Sequence, residues 1–167
     1  MWLSLILRFV LVVLVQLAIL NHLHLSLYIH PVFYLFFVIK MPLSLPKWVQ
    51  LLMGFSLGLT LDIFEGSPGI HSAAAVFIAF VRPYLASFLS PGRDMGPAPE
   101  PSVNQFGMQW FATFSFVLLL LHHFSLYFLE EFSFAGFFSS ILRMILSTLF
   151  SLLLVLLTEY LLYRPRN

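Results

Sequence analysis

Six apolar runs occupy most of this chain, near residues 3–20, 27–41, 47–64, 70–90, 107–128 and 137–163, and they leave very few architectures open. A helix that crosses a bilayer needs roughly 20 mainly apolar residues, and most of these runs reach that length. Inside hydrocarbon, every backbone N–H and C=O must find a partner within the protein, which favours helices. The spacing therefore predicts an all-α integral membrane protein with about six transmembrane helices in one bundle, forming a single polytopic domain over residues 1–167. The second run is the shortest and is edged by Pro31 and Pro42, so a five-span or re-entrant arrangement stays open there. The sixth is the longest and must tilt or extend beyond the hydrocarbon.

Composition closes off the soluble alternatives. Hydrophobic residues make up 60% of the chain and charged residues 9%, against about 25% charged in ordinary soluble domains. Net charge is +1 and the basic residues are scattered, which gives no stripe for nucleic acid. There is no cysteine, so disulfides, thiolate metal sites and cysteine nucleophiles are excluded. Arg8 interrupts the first apolar run and no small-residue cleavage pattern follows before Asn21, so that run reads as a retained helix. The stretch around 91–106, rich in Pro and Gly, is expected to be a flexible loop.

With six spans alternating across the bilayer, Arg8, Lys40, Lys47, Arg82, Arg93, Arg164 and Arg166 fall on one side. Asp62, Glu65, Glu130 and Glu131 fall on the other, with no Lys or Arg in those connections. The positive-inside rule then puts both termini in the cytoplasm, in a multi-pass arrangement.

Two helical stripes stand out. Gly54, Gly58 and Asp62 recur every four residues in the third run and share a helix face. Such a face admits a second helix at close range, and both internal packing and docking of a partner satisfy it. An aspartate deep in a span costs on the order of 3 kcal/mol, so Asp62 is expected to face protein. The sixth run carries Gly136, Ser140, Arg143, Ser147, Ser151 and Thr158 on a second stripe. Arg143 lies about 10 Å inside the outer end by helix rise, which permits either an Asp62–Arg143 ion pair or an Arg143 that snorkels toward Glu130 or Glu131. At the cytoplasmic end, Arg8 and Glu159 are placed to neutralise each other.

Candidate chemistry is thin. The glycines after Asp62 lack the Lys-Ser/Thr of a phosphate loop. There is no Gly-x-Ser-x-Gly elbow, no His-Glu-x-x-His helix and no paired intramembrane aspartates, so no catalytic residues are assigned. His22, His24, His30, His71, His122 and His123 all map toward the outer half. His122 and His123 point about 100° apart on a helix and do not share a metal easily, so neither metal nor cofactor is expected.

The run Gly58-Leu59-Thr60-Leu61-Asp62, then Gly66 and Gly69-Ile70-His71, resembles the signature of the rod shape-determining MreD family. Chain length, six spans with both termini inside, a proline early in the second span, and Pro101-Ser102 through Phe106-Gly107 leading to His122-His123 fit the same resemblance. It implies a fold similar to the substrate-binding subunits of energy-coupling-factor transporters, in the bacterial inner (cytoplasmic) membrane. It implies a non-enzymatic scaffold of the cell-elongation (rod) complex that docks the transmembrane helix of MreC and supports cell-shape control and peptidoglycan synthesis. Its implied partners are MreC, MreB, a SEDS glycosyltransferase, a class B transpeptidase and membrane lipids. Gly54, Gly58, Asp62, Gly66, Gly69, His71 and Arg143 are the partner-binding or structural candidates. The alternative is a small-molecule or lipid-binding membrane subunit of a transporter, with an outer pocket around Asp62, His71 and His122.

Overall fold

A computed structural model describes residues 2–22, 29–91, 100–130 and 137–163, the last without the side chains of 137–139. His24, Arg93, Glu131, Gly136 of the second stripe, Arg164, Arg166 and positions 92–99 of the expected loop lie outside the described residues. The described chain is helical and contains no strand. Its elements are α1 (Trp2–Ala18, followed by a 3-10 turn at Leu20–His22), α2 (Leu35–Lys40), α3 (Lys47–Glu65), α4 (Ile70–Leu89), α5 (Val103–Phe106), α6 (Met108–Glu130) and α7 (Phe137–Leu162). Four stretches are long and apolar enough to cross a bilayer: Trp2–His22, Ile70–Leu89, Met108–Glu130 and Ser140–Leu162. By length and composition these helices suggest a membrane protein. At 19 residues α3 measures about 28 Å by helix rise, but it carries Lys47, Gln50, Asp62 and Glu65 and is not one of those four.

Helices α3 and α4 form a close hairpin; α4 packs on α6, α6 on α7, and α1 on α3 and α2. Outward-facing Leu3, Leu7, Leu11, Leu52, Leu149 and Leu153 are exposed, as apolar side chains against lipid can be.

The second apolar run departs from the continuous helix expected over 27–41. Residues 29–33 are non-helical, and a helix forms only from Leu35, after a turn at Tyr34. All six residues of α2 are buried. Non-helical backbone buried in an apolar bundle is tolerated only where protein satisfies it, and here side chains from two flanking helices do so. Gln16 of α1 accepts at Oε1 from the Phe33 N–H at 2.8 Å and the Tyr34 N–H at 3.4 Å, and its Nε2 donates to the Pro31 carbonyl at 3.0 Å. From α7, Ser147 Oγ accepts from His30 N–H at 3.0 Å and Ser151 Oγ from Val32 N–H at 2.9 Å. Two serines of the second small-residue stripe therefore face this chain's own backbone.

At the other end of α2, the Ile39 carbonyl accepts from Nε and Nη2 of Arg82, each at 3.4 Å. Arg82 is fully buried, and its Nη1 donates to Gln50 Oε1 at 2.8 Å while Gln50 Nε2 donates to the Leu45 carbonyl at 2.8 Å. Arg82 thus joins α2, α3 and α4 from inside the bundle. Part of the expected loop is also ordered: Val103–Phe106 forms α5, and Gly107 at φ 90° turns the chain into α6.

Candidate functional site

The α3–α4 joint gathers most of the residues singled out in the sequence. A Cβ on Gly58 would lie 2.5 Å from the His71 carbonyl oxygen, and one on Gly54 would lie 3.0 Å from both the Ala75 carbonyl oxygen and Ala79 Cβ. Glycine here is what lets α4 lie directly on α3. The face that includes Gly54 and Gly58 is therefore covered by this chain's own fourth helix.

Helix α3 stops at Gly66, which is left-handed at φ 69°, while the Ser67 N–H returns to the Asp62 carbonyl at 3.1 Å. That is a Schellman closure, and glycine adopts its left-handed residue without a Cβ penalty. Gly69, at φ 84°, makes the second left-handed step and leads into α4. The opening turn of α4 has no hydrogen-bonding side-chain cap on Gly69. Asp62 supplies one from α3: Oδ1 accepts the His71 N–H at 2.9 Å and Oδ2 the Ser72 N–H at 2.9 Å. A carboxylate at the positive end of a helix is favourable on both hydrogen-bonding and dipole grounds. Ser67 Oγ also donates to Oδ1 at 2.6 Å, and Ser72 Oγ donates to Oδ2.

These contacts settle where Asp62 points. It is 5% exposed and bonded to α4 through both oxygens. Arg143 sits half-buried on α7, which packs on α6. Among the described residues no ion pair joins Asp62 to Arg143, and the expected link between the third and sixth runs is replaced by one between α3 and α4. The cytoplasmic-end expectation changes as well. Glu159 pairs with Lys40 at 3.0 Å and accepts the Val103 N–H at 2.9 Å, whereas Arg8 pairs with Glu100. Lys40 also approaches Glu100 at 3.9 Å. Four charges from α1, α2, α7 and the segment before α5 thus form a chain of pairs.

His71 looks two ways. Its Nδ1 lies 3.1 Å from Asp62 Oδ1 and 2.9 Å from Ser67 Oγ, and its Nε2 lies 3.2 Å from Glu65 Oε2. The ring borders a cavity of about 430 Å³ where α1, α3 and α6 end and α4 begins. Gln16, Tyr34 and His123 are among its buried lining; Asn21, His30, Glu65 and Glu130 stand at exposed positions around it. Asp62 is set behind His71 and does not line the space. His122 does not line it either: it is buried, with Nε2 2.6 Å from the Tyr34 hydroxyl. The imidazole next to it, His123, reaches the cavity, with Nε2 3.4 Å from the His30 carbonyl. Among the described residues no three His, Asp or Glu side chains are grouped so as to hold a metal ion.

Gln16, Tyr34 and Tyr127 were not marked by their sequence context. A glutamine inside the apolar run Leu11–Leu20 was the available signal, since a polar amide there must be satisfied by protein. No protein-family model, no curated protein and no solved structure matches the chain.

Proposed function

We propose that this chain is an MreD-type scaffold: a non-enzymatic inner-membrane subunit of the rod complex that docks the transmembrane helix of MreC and supports peptidoglycan synthesis during elongation. The observation that carries this reading is the common use of the resembling residues. Gly58, Asp62, Gly66, Gly69 and His71 all belong to one joint, in which two left-handed glycines and a cross-helix carboxylate hold the outer ends of α3 and α4 in register. A motif that builds a rigid corner suits a protein whose product is an assembly.

In this reading α1, the 29–40 segment, α3, α4, α6 and α7 make six crossings, similar to the substrate-binding subunits of energy-coupling-factor transporters, with both termini cytoplasmic. Because α4 covers Gly54 and Gly58, the MreC helix docks on a lipid-exposed face instead. The test is depletion in the native bacterium with re-expression of the wild type or of Asp62→Ala. Loss of rod shape on depletion, rescue by the wild type, and recovery of MreC with the tagged wild-type chain are the expected results. Cells that keep their rod shape and elongation without this protein would sink the proposal.

A further inference from the structure

The cavity beside His71 has a composition that the scaffold role does not call for. Its described lining contains the carboxylates of Glu65 and Glu130 and no Lys or Arg. Tyr34, Tyr127, His30, His71 and His123 supply aromatic rings, and Gln16 and Asn21 supply amides. Several of the polar groups are held in place. Glu65 accepts from Asn21 Nδ2 at 2.8 Å and faces His71 Nε2; Gln16 is fixed by the backbone of 31–34; Tyr127 meets Ser147 Oγ at 3.3 Å. At about 430 Å³ the space falls within the range of roughly 300–1,000 Å³ typical of small-molecule sites.

We infer that this cavity is a binding site for an organic ammonium group. Carboxylates at the rim select positive charge, aromatic faces favour an ammonium over a neutral amine, and the apolar side chains of Leu20, Ile29, Val32 and Leu126 accommodate its carbon framework. A bare divalent cation fits less well, since the described carboxylates and imidazoles form no metal-binding group. The ammonium comes from one of two sources with the same chemistry, a soluble amine or the ethanolamine headgroup of a lipid. The inference stands apart from the rod-complex reading, because a scaffold and a transporter subunit can each hold such a ligand.

The experiment uses the full chain in nanodiscs of phosphatidylglycerol. One arm titrates free ethanolamine and follows Tm; the other adds phosphatidylethanolamine to the nanodisc and identifies retained lipid by native mass spectrometry. A Tm rise with free ethanolamine assigns a soluble amine, and selective retention of phosphatidylethanolamine assigns the headgroup. Either effect should weaken about tenfold in Glu130→Gln and in Glu65→Gln, the loss of one charge-assisted contact, and should be unchanged in Glu100→Gln at the opposite end. Glu130 is exposed, so Glu130→Gln decides the matter even if Glu65→Gln, which breaks contacts to Asn21 and His71, fails to fold. No amine dependence in either arm, or amine binding that Glu130→Gln leaves intact, overturns the inference.

Discussion

Asp62 holds the first turn of a helix it does not belong to. Its two oxygens accept two backbone N–H groups and two hydroxyls of the following segment, so truncation orphans several donors at once. Asp62→Ala is expected to cost about 3 kcal/mol, above a usual cap deletion, whereas Asp62→Asn keeps one acceptor oxygen and should lose about half as much. Thermal unfolding in detergent would measure both, and equal losses would argue against the capping role. The glycines separate by the same reasoning. Gly58→Ala drives a methyl into the backbone of His71 and Ser72 and should cost about 3 kcal/mol or more; Gly54→Ala overlaps less, with the Ala75 carbonyl oxygen and Ala79 Cβ each at 3.0 Å, and should cost less. Gly66→Ala meets no neighbour and carries only the left-handed strain, about 1–2 kcal/mol.

At the scale of elements, α2 shows how much of this fold was legible. The long helices follow from apolar runs bounded by Gly66, Gly69 and Gly107, because length and hydrophobicity decide membrane insertion. The 27–41 run has the same apolar character, yet its described residues 29–33 are non-helical and only Leu35–Lys40 forms a helix, six residues long with no exposed face. What makes that possible lies far away in sequence, at Gln16, Ser147, Ser151 and Arg82, and no local pattern announces it. The Asp62 joint was partly legible, since its glycines and carboxylate share one short stretch; its pairing with α4 rather than Arg143 depended on tertiary packing. Arg82 is expected to resist the conservative exchange. Lys cannot reproduce a fork that serves both Gln50 and Ile39, and Arg82→Lys should lose about 2 kcal/mol of thermal stability. Lys40 and Glu159 give a reciprocal test: Lys40→Glu and Glu159→Lys should each destabilise by leaving a buried charge unpaired, and the double exchange should recover part of the loss.

The whole molecule has two chemically distinct ends. One carries the Arg8–Glu100–Lys40–Glu159 chain of pairs, and the other an acidic, aromatic cavity. With no native cysteine, single-cysteine labelling can establish which end faces out. Pro68→Cys, at the exposed α3–α4 turn, should react with an impermeant maleimide on intact spheroplasts, and Ser44→Cys only after permeabilisation; the reverse pattern would invert the proposed orientation. The backbone bonds from His30 and Val32 to α7 also set a timetable for synthesis. Their acceptors lie 117 and 119 residues further along the chain, so at about 5–20 residues per second those donors wait on the order of ten seconds after they are made. During that interval these two backbone donors must bond to water or borrow other partners. A nascent chain stalled after Glu130 is therefore a natural quality-control substrate, because its early half is waiting for a helix that has not been translated.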